Sequence, residues 1–191
     1  MIEERKIIER ILEGETEQFR LIVDQYHERI FLLVRGYVHQ IEDAEDVTQE
    51  TFLHAFISIG DFKGKSEFST WLYRIAVNTS YSYLRKKSRR SIFTYYEAKI
   101  NNLTEHLQSH KSDNPQKQLS TKQTEEQIFK EIDKLPANQR TAFILSRIQE
   151  MSQKEIAEVM SLSAHAVESL IQRAKKQLKI KLISIINENK F

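Results

Sequence analysis

Three carboxylates, Asp43, Asp46 and Glu50, recur at steps of three and four, so a helix carries them on one face. Such a face suits a basic partner surface or, in a helical bundle, a pair of metal ions. The metal chemistry uses Glu-x-x-His pairs on facing helices, whereas here Glu50 is followed by His54 at a spacing of four. His27, His39, His54, His106, His110 and His165 are scattered, and no nucleophile–base set or Gly-rich phosphate loop is present. With no Cys, disulfides, thiolate zinc sites and cysteine catalysis are excluded. The residues therefore argue against an enzyme, and no cofactor or metal is expected.

A second group lies in FKGKSEFSTWLYRIAVNTSYSYLRKKSRR, from Phe62 to Arg90, where aromatic and basic residues crowd together. Rings can stack on bases and cations can hold phosphate. The alternative is an apolar helix core with a solvated basic edge. Charge is partitioned along the chain. Residues 1–60 carry 6 Lys/Arg against 13 Asp/Glu, residues 61–100 carry 9 against 3, and residues 151–191 carry 7 against 4. Distinct segments thus suit distinct partners, the basic ones suiting phosphate.

These groups need a scaffold, and few Gly and Pro in 191 residues, with little strand-like alternation, favour an all-α fold. Ile7, Ile8, Ile11 and Leu12 mark a short helix ending near Gly14. The set from Phe19 through Ile22, Tyr26, Ile30, Leu33 and Tyr37 to Val38 predicts a long amphipathic helix. Ala44, Val47, Phe52, Ala55, Phe56 and Ile59 form the inner face of the next. Ser69 or Thr70 can cap a fourth helix that buries Leu72, Ile75, Ala76 and Thr79. Residues 1–92 make the first domain. Residues 93–124, polar and containing Pro115, read as a flexible linker, with a helix open around Tyr95–Leu107. A small four-helix domain follows over 125–185, then a tail, 186–191. No apolar run is long enough to span a membrane, and MIEERKIIERIL is amphipathic rather than a signal peptide, so a cytoplasmic protein is expected.

Within the second domain, MSQKEIAEVMSLSAHAVESLIQRAKKQLK predicts a helix-turn-helix. Ser152 and Glu155 can form a capping box, and Ile156, Ala157 and Met160 are an inner face. Small Ala157 allows a close crossing, with Leu162 and Val167 wedged between the helices. Ser163 can cap the second helix, whose outer face starts with Ala164, His165, Glu168, Ser169 and Gln172 and continues with Arg173, Lys175, Lys176 and Lys179. The first set suits base edges and the second suits phosphate. An ordinary hairpin with a solvated basic face is the bland alternative.

DAEDVTQETFLHAF, from Asp43 to Phe56, resembles the polymerase-binding helix of bacterial sigma factors of the extracytoplasmic-function (ECF) group. FSTWLYRIAVNTSYSYLRKK, from Phe68 to Lys87, resembles their promoter-melting and −10-recognition helix, and the helix-turn-helix resembles their −35-reading domain. The resemblance implies a chain that binds core RNA polymerase and directs it to a set of promoters. Asp43, Asp46, Gln49, Glu50 and Leu53 would bind polymerase, with Phe52 and Phe56 behind them. Lys63, Gly64 and Lys65 in the loop, with Trp71, Tyr73, Arg74, Asn78, Tyr81, Arg85, Lys86 and Lys87, would hold single-stranded −10 DNA, although Trp71 chiefly packs in the family. Ser163, Ala164, His165, Glu168, Ser169, Gln172, Arg173 and Lys176 would contact duplex at −35. An anti-sigma factor is implied as a further partner, without membrane insertion. Three departures stand out: Ser161 where Gly is frequent, Glu168 where Lys or Arg is frequent, and Ser82 where Asp is common. A stand-alone helix-turn-helix regulator is the rival reading.

Overall fold

In the computed structural model the described residues are 2–101 and 127–188, with side chains described for 4–90, 127–181 and 183. All regular structure among them is helical. The linker with Pro115 falls largely outside them, as does the stretch 102–107 of the helix left open above.

The N-terminal half contains α1 (Ile2–Leu12), α2 (Phe19–Arg35), α3 (Ile41–Ile57) and α4 (Phe68–Asn101), with 3-10 turns at Thr16–Gln18 and Ile59–Asp61. Gly14, at φ 109°, lets the chain reverse after α1 where a side chain would be strained. On α2 the residues Phe19, Ile22, Tyr26, Ile30, Leu33 and Val34 form one buried stripe. Each large aliphatic among them contributes about 1.5–3 kcal/mol by leaving water. The predicted helix stops short of Tyr37 and Val38: α2 ends at Arg35, and both residues are buried in the turn that follows.

Helix α3 packs between α2 and α4. Its inner face is Ala44, Val47, Thr48, Thr51, Phe52 and Ala55, and Thr51 donates its hydroxyl to Val47 O at 2.7 Å. Phe56 departs from the expected core, being 36% exposed. Helix α4 begins at Phe68, so Ser69 and Thr70 lie in its first turn rather than at its cap. It also continues to Asn101, into the segment read as linker, because its backbone bonds close locally despite the polar composition.

The C-terminal half comprises α5 (127–133), α6 (Ala137–Arg147), α7 (Gln153–Met160) and α8 (Ala164–Glu188). Ile132 and Leu135 pack with Ala174 and Leu178, while Ile144, Leu145, Ile156 and Val167 belong to a core that also contains Ile30, Leu33 and Leu72. The apolar interior is thus continuous between the two halves.

Candidate nucleic-acid interface

The helix-turn-helix is built as its local chemistry demands. Ser152 N–H donates to Glu155 Oε2 at 2.7 Å, and Glu155 N–H donates to Ser152 Oγ at 3.3 Å, so both sides of the capping box form. These bonds hold the Glu155 carboxyl below its ordinary pKa. Helix α7 ends on Ser161 at φ 55°, ψ 44°, the left-handed conformation that favours Gly. Leu162 N–H then bonds to Ala157 O at 2.9 Å, the six-to-one bond of a Schellman turn. Ser163 Oγ accepts from Ala166 N–H at 3.2 Å and caps α8. Val167 is fully buried as a wedge, but Leu162 is 39% exposed and does not act as one, since the left-handed turn carries it out of the crossing.

On α8 the structure brings the sequence-predicted residues to one outer face. Ser163, Ala164, His165, Glu168, Gln172, Arg173 and Lys176 are exposed and Ser169 is half-buried. Their opposite side carries Val167, Ile171, Ala174 and Leu178 into the core. The face therefore offers polar groups at the leading end and cations behind them, the order needed for base edges flanked by phosphates.

The loop before α4 is a second, differently built surface. Lys63, Gly64 and Lys65 are exposed, and Gly64 has φ 65°, so glycine is needed there for conformation rather than space. The loop lines a cleft of about 590 Å³ together with Glu4 and Ile8 of α1 and Lys154, Glu155 and Glu158 of α7. On α4 itself Arg74, Asn78, Arg85, Lys86 and Lys87 are exposed, whereas Trp71, Tyr81 and Tyr83 are half-buried. Tyr73, expected among the available rings, is only 6% exposed, and burial raises its hydroxyl pKa. Its place on the inner side of α4 decides this. Trp71 packs with Phe62 and Phe68 at centroid distances of 5.5 and 5.4 Å.

The acidic helix α3 presents two faces rather than one. Asp46, Gln49 and Leu53 are exposed along a single stripe that continues through Phe56 to Ile57, which are 36% and 72% exposed. Asp43 and Glu50 instead turn toward α4. Lys87 Nζ lies 2.6 Å from Asp43 Oδ2, and Lys86 Nζ lies 3.6 Å from Glu50 Oε1. The hydrogen bonds from Lys87 and the Tyr83 hydroxyl hold the Asp43 carboxyl below its usual pKa, and Asp43 raises that of Lys87. Ile57, the most exposed apolar residue of this stripe, was missed by sequence reasoning. Its signal was spacing: it stands four residues beyond Leu53 on the same face.

The described residues thus carry an acidic and apolar stripe on α3, a basic–aromatic helix and a helix-turn-helix. Residues 22–90 match the sigma-70 region 2 family and residues 125–178 match sigma-70 region 4. The chain is 34% identical to the ECF RNA polymerase sigma-E factor of Haemophilus influenzae, over 94% of this chain and 95% of that protein. It is 32% identical to the RNA polymerase sigma-H factor of Pseudomonas aeruginosa, with 97% of each covered. Among solved structures, CnrH in complex with the cytosolic domain of CnrY has the same fold, with a TM-score of 0.68 at 23% identity, covering 94% of this chain and 97% of that one. The sigma factor RpoE in complex with the anti-sigma factor NepR from Bartonella quintana is similar at a TM-score of 0.60 and 22% identity, covering 88% and 98%. The chain belongs to the ECF group of sigma-70-family RNA polymerase sigma factors. It binds core RNA polymerase and directs promoter recognition through its region 2 and region 4 domains.

Proposed function

We propose that polymerase docks on the exposed stripe of α3, that the Gly64 loop and α4 hold the opened −10 strand, and that the outer face of α8 reads duplex at −35. The observation that supports the first assignment most directly is the coincidence of Asp46 and Gln49 with exposed Leu53, Phe56 and Ile57. An apolar strip beside carboxylates, left uncovered among the described residues, suits a partner surface that is basic at one edge and apolar at its centre. Asp43 and Glu50 join this set at its border with α4, as groups shared between polymerase and Lys87 or Lys86.

For DNA, Lys63, Lys65, Arg74, Arg85, Lys86 and Lys87 take phosphates, Asn78 takes a base edge, and Trp71 and Tyr81 offer ring edges to unpaired bases. Tyr73 supports α4 from within rather than stacking. On α8, Ala164, His165, Glu168, Ser169 and Gln172 discriminate bases, while Ser163 sets the helix start and Arg173 and Lys176 take phosphates. Glu168 in place of a cation favours a cytosine amino group as its contact. Residues 1–92 and 125–185 act as the two domains, tethered by 93–124. The protein works in the cytoplasm, where polymerase and promoter are, and is held in check by an anti-sigma factor. Among the described residues no helix is long and apolar enough to cross a membrane.

The test is binding to purified core polymerase and promoter-specific transcription. Asp46→Lys combined with Ile57→Lys is expected to weaken polymerase binding about tenfold or more with helical circular dichroism unchanged. Unchanged affinity removes α3 from the docking surface. Specific binding of the free chain to a palindromic duplex, without initiation by the holoenzyme, would favour the stand-alone regulator.

A further inference from the structure

The two halves are joined by a reciprocal pair of arginine caps. At the end of α2 the carbonyls of Gly36 and Tyr37 have no helical partner, and Arg140 Nη2 of α6 donates to both, at 3.3 and 2.9 Å. Arg140 is buried, is held by Asp133 Oδ1 at 2.7 Å, and lies over the Tyr37 ring at 5.2 Å. At the end of α7 the situation is mirrored: Arg74 of α4 donates to Val159 O at 3.2 Å and to Glu158 O. Each half thus places a guanidinium on the negative end of a helix dipole in the other.

Around these caps the seam carries further side-chain contacts. Tyr37 Oη contacts Thr141 Oγ1 at 3.1 Å, and Tyr81 Oη donates to Ala137 O at 2.7 Å. His39 Nε2 meets Asp133 at 2.9 Å and its ring stacks on Phe129 at 4.3 Å. Gln149 Nε2 donates to Arg29 O at 3.0 Å. Gly36 shows how close the approach is. A Cβ there would lie 2.9 Å from both Ile144 Cγ2 and Ile148 Cδ1. Its own backbone is right-handed helical, at φ −65° and ψ −18°, so its dihedral angles do not call for glycine, and the nearest atom of its own half is Leu33 O at 3.2 Å.

Arg74 and Tyr81 are also residues assigned above to the −10 strand, and the Gly64 cleft is walled on one side by α7. We propose that the free chain is self-inhibited: the contacts of Arg140 and Gly36 at the end of α2 hold the C-terminal domain against α4, where it occupies the groups that single-stranded DNA requires. The proposal rests on the assignment of Arg74 and Tyr81 to the strand. Size supports it. Elements centred near −35 and −10 are about 85 Å apart at roughly 3.4 Å per base pair, whereas a compact chain of this length is only about 40 Å across. The closed form cannot span both elements, so opening the seam is a step of promoter engagement.

Gly36→Ala tests the lock, because Ala suits a helical backbone and its two closest obstacles, Ile144 and Ile148, lie across the seam, with Leu33 O of α2 at 3.2 Å. The readouts for the free full-length chain are hydrodynamic radius and affinity for a short fluorescent single strand of mixed sequence, with circular dichroism as the check on folding. If the wild-type chain is closed about nine-tenths of the time, the variant should expand and bind the strand about tenfold more tightly. The opposite arm uses the absence of native Cys: Arg29→Cys with Gln149→Cys, joined by a short bismaleimide, should hold the chain compact and abolish strand binding relative to the untethered double variant. Equal strand affinity for compact and expanded chains, or undiminished binding by the tethered chain, overturns the proposal. If Arg74→Gln also leaves the affinity of the expanded Gly36→Ala chain unchanged, the assignment of Arg74 to DNA has failed along with it.

Discussion

The outer face of α8 and the outer face of α4 are both basic helical surfaces suited to nucleic acid, yet they stand in different relations to the rest of the molecule. On α8 the exposed residues from Ala164 to Lys176 project away from a continuous inner stripe, with Arg173 and Lys176 among them. On α4 most of the comparable groups are already engaged within the chain. Arg74 caps α7, Tyr81 bonds to α6, and Lys86 and Lys87 pair with Glu50 and Asp43 of α3. A surface that reads duplex can be finished by one helix and its partner. The surface proposed for a single strand has groups engaged by three neighbouring elements, α3, α6 and α7, and on that proposal gives up internal contacts to work.

The largest expected effect breaks the α8 side of this comparison. Val167→Asp places a carboxylate at a fully buried site, which should cost more than about 3 kcal/mol. Thermal unfolding should lose the C-terminal transition, and duplex binding should go with it. A milder test keeps the fold: Arg173→Ala with Lys176→Ala should lower promoter-duplex affinity about tenfold at moderate salt and reduce the salt slope by about 2. A full slope in the double variant would mean that these cations do not touch phosphate.

Ser161→Gly addresses the turn that aims α8. Relief of a left-handed serine should raise stability by about 0.5–1 kcal/mol, seen as a few degrees in Tm. A fall in Tm would show that the Ser side chain contributes more than its backbone costs. The smallest effect sharpens the α4 side. Lys87→Gln removes a cation from the DNA face but releases Asp43, so polymerase affinity in the absence of DNA should rise about twofold, as expected for an exposed ion pair. A drop would place Lys87 itself against polymerase.

Legibility in the sequence followed the range of the interactions. The capping box at Ser152, the serine-bearing joint at Ser161 and the outer face of α8 depend on residues within two turns of one another, and spacing alone revealed them. Spacing also put Asp43, Asp46 and Glu50 on one helix face, but it could not see that α4 draws Asp43 and Glu50 aside. The same limit applied to Phe56 and Ile57, whose exposure depends on what other helices leave uncovered. Spacing puts Trp71, Tyr73, Tyr81 and Tyr83 outside any one narrow apolar stripe, so some of these rings are expected to be available, but it does not say which. The burial of Tyr73 follows from where α4 meets α2 and the C-terminal half.

The amino-acid order alone thus determined an all-helical chain, two apolar rhythms and a helix-turn-helix, because period, caps and turns are local properties of the backbone, and its resemblance to a known family supplied the region 2 and region 4 motifs. Only the tertiary structure decided which charges are spent inside the molecule, which apolar residues remain for a partner, and why Gly36 is a glycine. Those outcomes rest on contacts between residues about a hundred positions apart, such as Arg140 with the carbonyls of Gly36 and Tyr37. Nothing in the sequence around either end announces such a contact; it exists because two helix termini, each short of partners, meet across the seam.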